Sequence, residues 1–222
     1  MNEITVLNNE LAIWIKEDFE KSKEKVTLIE SKYPLITASL KLYENFDMDA
    51  AKNRLKTQLK DTLISEWKDY NKRDNLIKYD AIYFEYNDDS GTPYEAFSYG
   101  IHNMKNYILT IGPFDTNHDY EFGIWEAGLG IMFEAFDILQ PLNYTEELEL
   151  EIDEVQSDRN SGYNEIQNFC HAATRFILNS VFSEIDSSGL FSEIGIKSGG
   201  LFIFDIHDGG SVQTPFYLKS DD

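Results

Sequence analysis

The chain has 222 residues, of which 42% are hydrophobic and 14% aromatic, so it has ample material for a core and is not a disordered chain. Its 40 Asp and Glu residues against 19 Lys and Arg give a net charge of −21 and an isoelectric point near 4.4. A field of this sign disfavours nucleic acids and anionic membranes as partners, and it serves either solubility alone or the attraction of a basic protein.

The cysteine content and the N-terminal residues of the chain indicate the cellular compartment of the protein. Cys170 is the one cysteine, which excludes an internal disulfide, and the start of the chain lacks the basic and apolar regions of a signal peptide. No stretch reaches the roughly 18 apolar residues that a membrane helix needs. We therefore expect a cytoplasmic protein, or a periplasmic one if a leader has been removed.

Residues 1–75 are predicted to be mainly helical. Asn8 or Asn9 fits a helix cap before an apolar stripe, and Tyr33-Pro34 ends this helix because the residue before proline avoids helical angles. The segment 35–46 fits either a strand or a short helix. Asp47 is expected to cap the clearest helix. Its apolar positions recur every three or four residues: Met48, Ala51, Leu55, Leu59, Leu63, Trp67 and Tyr70.

Residues 76–114 predict consecutive antiparallel strands. Three runs rich in Tyr, Phe and Ile, at 77–86, 94–101 and 107–111, are separated by breaks rich in Asn, Asp, Gly and Pro. After them we expect a polar loop over 112–123. The apolar residues of 124–139 have helical spacing, which predicts a helix that ends at Pro141.

Residues 115–222 also contain the most acidic segment, 145–154. Strict alternation there favours a strand, with Leu148, Leu150 and Ile152 facing inward. A helix would instead bury Leu148, Ile152 and Val155, after a capping box of Asn143 and Glu146. In both cases a row of carboxylates faces water: Glu147, Glu149, Glu151 and Asp153.

The remaining elements complete one α+β domain, 1–222. A helix is predicted over 163–185, and a C-terminal hairpin pairs 201–207 with 213–218 across a Gly-rich turn. Without repeats or a linker, we expect a mainly antiparallel sheet, formed by the meander and the hairpin, packed against several amphipathic helices.

The histidines and the cysteine give no pattern that indicates a metal or a nucleophile. His102, His118, His171 and His207 lie on separate elements and lack the spacing of zinc ligands. Cys170 and His171 point about 100° apart on a helix, so they cannot act as a nucleophile and its base, and a buried thiol is expected.

Two other groups of residues are candidates for a metal site or a catalytic site. Asp115, Asn117 and Asp119 begin like a calcium loop, but Tyr120 stands where that loop needs glycine. The alternative enzymatic site, for a hydrolase or a metal-dependent enzyme, is a cluster at the end of the hairpin: Asp205, His207 and Asp208. The sequence contains no phosphate loop, dinucleotide fingerprint or serine nucleophile elbow, so no cofactor is expected.

The remaining hypothesis is that the chain binds another protein through its surface, since it has a strong core and no catalytic motif. The acidic row would accelerate the encounter with a basic partner. Aromatic side chains near the strand ends would anchor that partner: Tyr83, Tyr86 and Tyr94.

In size, acidity, single cysteine and α+β organisation, the chain resembles the bacterial immunity proteins that neutralise co-encoded toxins, many of them basic nucleases. The likeness rests on 77–111 as the central sheet, 145–154 as the acidic surface and the 201–218 hairpin. It implies a non-enzymatic inhibitor that binds a toxin or effector directly. A structural or adaptor subunit is a further alternative.

Overall fold

The computed structural model describes residues 3–73, 78–86, 95–102, 114–115, 121–126, 131–143, 145, 147–206, 212–213 and 215–221. Its α-helices are α1 (Glu3–Thr27), α2 (Pro34–Glu44), α3 (Met48–Gln58), α4 (Ile64–Arg73), α5 (Glu149–Ser157) and α6 (Tyr163–Ser187). A π-helical turn, Leu59–Leu63, joins α3 to α4, and a 3-10 helix spans Glu134–Leu142. None of the helices within these ranges is both long enough and apolar enough to cross a membrane.

The described strands form one six-stranded sheet and one small pair. They are β1 (Tyr79–Tyr86), β2 (Glu95–His102), β3 (Phe114–Asp115), β4 (Glu121–Glu126), β5 (Ile131–Met132), β6 (Ile196–Ile206), β7 (Val212–Gln213) and β8 (Pro215–Leu218). The main sheet has the order β4-β2-β1-β6-β8, with β5 also paired to β2, and β3 pairs with β7. Helices and sheet pack as one α+β domain, as the sequence predicts.

The sheet is mixed in direction. Two of the predicted antiparallel pairings are present, with Tyr83 opposite Tyr99 in β1 and β2, and with Leu201 opposite Leu218 in β6 and β8. Gln213, which was predicted in the hairpin, instead lies in β7 and pairs with β3. However, the two central strands β1 and β6 run parallel, with Tyr83 opposite Ile203. Parallel neighbours need a long crossover connection. Here that connection contains α6, which packs on the sheet. The predicted run at 107–111 lies outside the described residues.

Residues 3–73 are mainly helical, as predicted, but α1 ends at Thr27, before the predicted end at Tyr33-Pro34. Asp47 caps α3, because its side chain accepts a hydrogen bond from the Ala50 amide at 2.9 Å. The predicted cap at Asn8 or Asn9 is wrong, since α1 begins at Glu3. The ambiguous segment is α2, and Pro34 occupies its first turn, where a missing amide hydrogen costs nothing.

The helical region from α3 to α4 packs its apolar row against the sheet. Leu59, Leu63 and Trp67 are each 0% exposed. The indole nitrogen Nε1 of Trp67 donates a hydrogen bond to the Ser98 hydroxyl on β2 at 3.0 Å, and this pair is fully buried. Because Ser98 lies opposite Phe84 in the register of β1 and β2, the helix and the two strands meet on one face of the sheet.

Helix α6 covers the same face. Its Phe182 ring lies 4.8 Å from the Phe202 ring on β6 and 4.8 Å from the Phe216 ring on β8, both edge to face. Cys170 on the same helix is a free, fully buried thiol, as expected from the sequence. These aromatic contacts hold the helix across the three strands β1, β6 and β8.

The prediction of a loop over 112–123 followed by a helix over 124–139 is wrong in part. Residues 121–126 form β4, which pairs antiparallel with β2 and places Phe122 opposite Ile101. Aromatic and β-branched residues favour a strand, and here pairing with β2 outweighs the helical spacing. Among the described residues of this segment, those at 134–142 are helical, as a 3-10 helix that contains Pro141.

Residues 149–154 of the acidic segment belong to helix α5, so the favoured strand is wrong. Ile152 and Val155, three residues apart, are 2% and 1% exposed, whereas Leu150 is 84% exposed. A strand would have buried Leu150 together with Ile152. Helix α5 begins at Glu149 after Leu148, which forms no side-chain cap, so the alternative capping box with Asn143 is wrong too.

Candidate functional site

Helix α5 carries the acidic surface that the sequence predicts, but in a different arrangement. Glu147 lies in the turn before the helix, and Glu149, Glu151 and Asp153 lie on it, all exposed. Residues two apart on a helix point about 200° apart, so these carboxylates do not form a single row. Glu149 and Asp153 share one side, while Glu151 shares the other with Glu154 and Val155.

A groove of about 380 Å³ runs between α5 and the segment that joins α1 to α2. The residues that line this groove are Lys32, Tyr33, Pro34, Leu35, Glu151, Glu154 and Val155. Its volume is at the lower end of the range for ligand cavities. Val155 is buried at the floor, and the two glutamates are exposed at the rim.

The Asp158 carboxylate connects the two walls of the groove. It accepts hydrogen bonds from the Tyr33 hydroxyl at 2.8 Å and from the Asn160 amide at 2.9 Å. The Lys32 ammonium lies 3.8 Å from the same carboxylate. The Asn160 amide first, and then the Tyr33 hydroxyl, lower the pKa of Asp158. Asp158 is therefore a carboxylate at neutral pH and fixes Tyr33 against α5.

Lys32 lies over the face of Tyr33. Its Nζ atom is 4.8 Å from the centre of that ring, and its side chain is 72% exposed. The Tyr33 phenol first, and then the carboxylates of Asp158 and Glu154, raise the pKa of Lys32, while partial desolvation opposes them. The groove thus already holds one cation, between an aromatic face and two acids.

Leu150 adds an exposed apolar side chain to the same helix. It is 84% exposed and lies between Glu149 and Glu151. Large apolar residues on the surface are common singly, but an aliphatic side chain among carboxylates and beside a groove has the composition of an interface anchor with a polar rim.

Two of the three aromatic anchors predicted from the sequence are part of the core. Tyr83 and Tyr86 are 2% and 3% exposed, which leaves them no surface to offer to a partner. Both lie on central strand β1, and the ring of Tyr86 packs against Phe204 of β6 and His171 of α6. Tyr94 lies outside the described residues. Among the residues that line the groove, the aromatic one is Tyr33, which the sequence predicts as the end of a helix.

The alternative enzymatic site is only partly described, because His207 and Asp208 lie outside the described residues. Asp205 lies near the end of β6, where its carboxylate and that of Asp18 oppose the lowering of the Arg175 pKa by burial. The Tyr86 hydroxyl lies 3.1 Å from Nδ1 of His171. Burial first, and then the charge of Arg175, lower the pKa of His171 to about 4, so this imidazole is neutral at pH 7.

The described residues contain no group of three or more His, Cys, Asp or Glu side chains placed to hold a metal ion. Of the residues predicted for a calcium loop, Asp115 ends β3, and Asn117 and Asp119 lie outside the described ranges. His118 lies outside them as well. His102 ends β2 and is half-buried.

Comparisons with protein-family models, curated proteins and solved structures give no match. The groove and α5 are therefore the basis for assigning a function. Of the acids at the groove, sequence reasoning found Glu151 but missed Glu154 and Asp158. It also missed Lys32, Tyr33 and Leu35. The one signal for them was the Tyr-Pro step, which marks a break where two helices meet and a concave surface can form.

Proposed function

We propose that this chain is a non-enzymatic protein-binding inhibitor of the immunity-protein type, which binds a basic toxin or effector in the cytoplasm through α5 and the groove. The observation that carries this proposal is the combination on α5 of exposed carboxylates, an exposed leucine and an adjoining groove with an apolar floor. The resemblance in size and acidity supports the same class.

The charges would act mainly on the encounter between the two proteins. With a net charge of −21, the chain attracts a basic partner from a distance, and such steering raises association rates by orders of magnitude at low salt. Salt screens exposed charges over about 10 Å at 0.1 M, so this part of the affinity falls as salt rises.

The apolar groups would supply most of the lasting affinity. Binding energy in protein interfaces is concentrated in a few desolvated residues, surrounded by polar contacts that exclude water. Leu150 and the floor of the groove at Leu35 and Val155 provide such groups, and the carboxylates surround them. Inhibition then follows from coverage of the partner's active site or of the path to it.

The test begins with affinity capture from the source cell, identification of the captured protein and its separate purification. Binding is then measured by calorimetry at 50 and 200 mM salt. We expect a 1:1 complex with a basic protein whose activity is lost on binding. The triple variant Glu147→Lys, Glu149→Lys and Glu151→Lys should weaken binding at low salt by at least about tenfold and flatten its salt dependence.

A matched control reverses three exposed acids on α1: Glu17→Lys, Glu20→Lys and Glu24→Lys. It changes the net charge by the same amount on a different surface, so it should affect affinity much less. Equal losses for the two variants would show that overall charge alone matters and would overturn the assignment to α5. A partner that keeps its activity in the complex would overturn the inhibitor function.

A further inference from the structure

We propose that the groove is a receptor for an arginine side chain of the partner, and that Lys32 occupies the cation position in the free protein. The proposal rests on the proposed function for the source of the arginine. The chemical preference of the groove is independent of that source and can be tested with small probes.

The floor of the groove matches the stem of a long cationic side chain. Leu35, Val155 and the ring of Tyr33 form an apolar floor, and Val155 is only 1% exposed. Arginine and lysine bury their methylene stems along apolar surfaces and keep the charged head near water. A purely aliphatic side chain would leave the acidic rim without a partner.

The rim of the groove matches the charged head. Glu151 and Glu154 line the groove on the α5 side, and both are exposed in the free protein. Two carboxylates can accept several of the five N–H donors of one guanidinium, and hydrogen bonds between charged groups are about twice as strong as neutral ones.

Lys32 shows where a cation is held. Its ammonium is 4.8 Å from the centre of the Tyr33 ring and 3.8 Å from Asp158 Oδ2. Because the side chain is 72% exposed, an incoming cation can displace it at little cost. Lys32 is then an internal competitor, and its removal should strengthen binding.

Arginine fits this position better than lysine. A guanidinium is planar, stacks on an aromatic face and is less strongly hydrated than an ammonium. Tyr33 offers such a face, and its hydroxyl is fixed by Asp158 at 2.8 Å, so the ring is already oriented before binding.

The test uses nuclear magnetic resonance titrations of the ¹⁵N-labelled full chain with N-acetyl-arginine amide. The comparison probes are N-acetyl-citrulline amide, which has the same shape without the charge, and N-acetyl-lysine amide. We expect shifts confined to amides around Tyr33, Leu35 and Val155, with arginine the tightest probe and citrulline at least about threefold weaker. Absence of localised shifts, or equal affinity for citrulline, would overturn the proposal.

Two sets of variants complete the test. Lys32→Gln should tighten arginine binding by about two- to fivefold, and Glu151→Gln with Glu154→Gln should weaken it by about three- to tenfold. The matched control Glu17→Gln with Glu20→Gln removes the same charge from the exposed side of α1, outside the groove, and should have little effect. Equal weakening by the control, or weaker binding after the Lys32 change, contradicts the proposal.

The outcomes also separate this proposal from the function above. If arginine amide binds in the groove but the captured partner is insensitive to charge reversal on α5, the receptor stands and the proposed function fails. If the partner depends on α5 but no arginine probe shifts the groove, the function stands and the receptor is wrong.

Discussion

The side chain of Asn8 on α1 forms two hydrogen bonds with the main chain of Leu218 in β8, although 210 residues separate them. Its Nδ2 donates to the Leu218 carbonyl oxygen at 2.8 Å, and its Oδ1 accepts from the Leu218 amide at 2.9 Å. Because β8 ends the order of the described sheet, the asparagine takes the place of a further strand at this edge. An edge occupied in this way is closed to pairing with another chain.

Replacement of Asn8 by alanine should therefore lower the free energy of unfolding by about 1–3 kcal/mol, since two partly buried main-chain groups lose their partners. The measurement is urea unfolding followed by circular dichroism. Asn9→Ala is the control, because Asn9 is the same residue type on the same helix and is exposed. If both variants lose the same stability, the contact with Leu218 contributes nothing.

The buried pair of Trp67 and Ser98 predicts a coupled effect on stability. Trp67→Phe leaves the Ser98 hydroxyl without its donor, and Ser98→Ala leaves the indole N–H without its acceptor, so each should cost about 1–3 kcal/mol or more. In the double variant the loss should be smaller than the sum by about 1 kcal/mol. A double-mutant cycle by chemical unfolding measures this coupling, and strict additivity would contradict it.

Replacement of Gly162, which precedes α6, should cause a steric clash in addition to backbone strain. Its φ is +94°, and an added Cβ would lie 2.6 Å from Cγ2 of Ile29. Gly189 has a similar φ of +75° but open space around the added atom. Both changes to alanine incur backbone strain, and Gly162→Ala should cost about 1–3 kcal/mol more. Thermal unfolding of the two variants gives the difference directly, and equal melting temperatures would show that Ile29 moves aside freely.

His171 predicts a loss of stability in mild acid. Its pKa falls from 6.5 to about 4 in the folded protein because of burial first and Arg175 second. Between pH 6.5 and about pH 4, His171 binds a proton in the unfolded chain but stays neutral in the folded protein. Stability from this group is therefore complete above about pH 6.5, falls as the pH is lowered to about 4, and is constant below that. The whole effect is about 3 kcal/mol.

The measurement compares urea unfolding of the natural chain and of His171→Gln between pH 4 and 7.5. The natural chain should lose more stability across this range, since glutamine has no proton to take up. Tyr86→Phe removes the hydroxyl next to the imidazole but keeps the histidine, so this variant should retain the steeper slope. Parallel curves for the natural chain and His171→Gln would contradict the assignment.

The features that could be predicted from the sequence are those set by neighbours along the chain. Asp47 caps its helix because the donor is three residues away, and the stripe from Leu55 to Trp67 follows from helical period alone. The apolar residues of the acidic segment fit both the period of a strand and the period of a helix. Which of the two forms depends on whether Leu150 has a surface to pack against. Whether such a surface exists is set by the tertiary structure, and the local sequence pattern does not show it.

The groove and the parallel pairing could not be predicted for the same reason. The groove joins residues 32–35 to residues 151–155, and neither segment has a motif that points to the other. The buried position of Tyr86 likewise depends on Phe204 and His171, which reach it from β6 and α6. Aromatic residues in a strand indicate a sheet, but they do not show which of its faces other elements will cover.

The ion pair between Asp80 and Lys197 joins β1 to β6, and 117 residues separate its two members along the chain. This separation in sequence has a consequence for synthesis. On the ribosome, β1 emerges long before its parallel neighbour, so one edge of the central strand has no partner until β6 has been translated. Exposed apolar strand edges are sites of aggregation. A translation arrest between α6 and β6 would therefore release an incomplete sheet, and such truncated chains should depend on chaperones far more than the finished protein does.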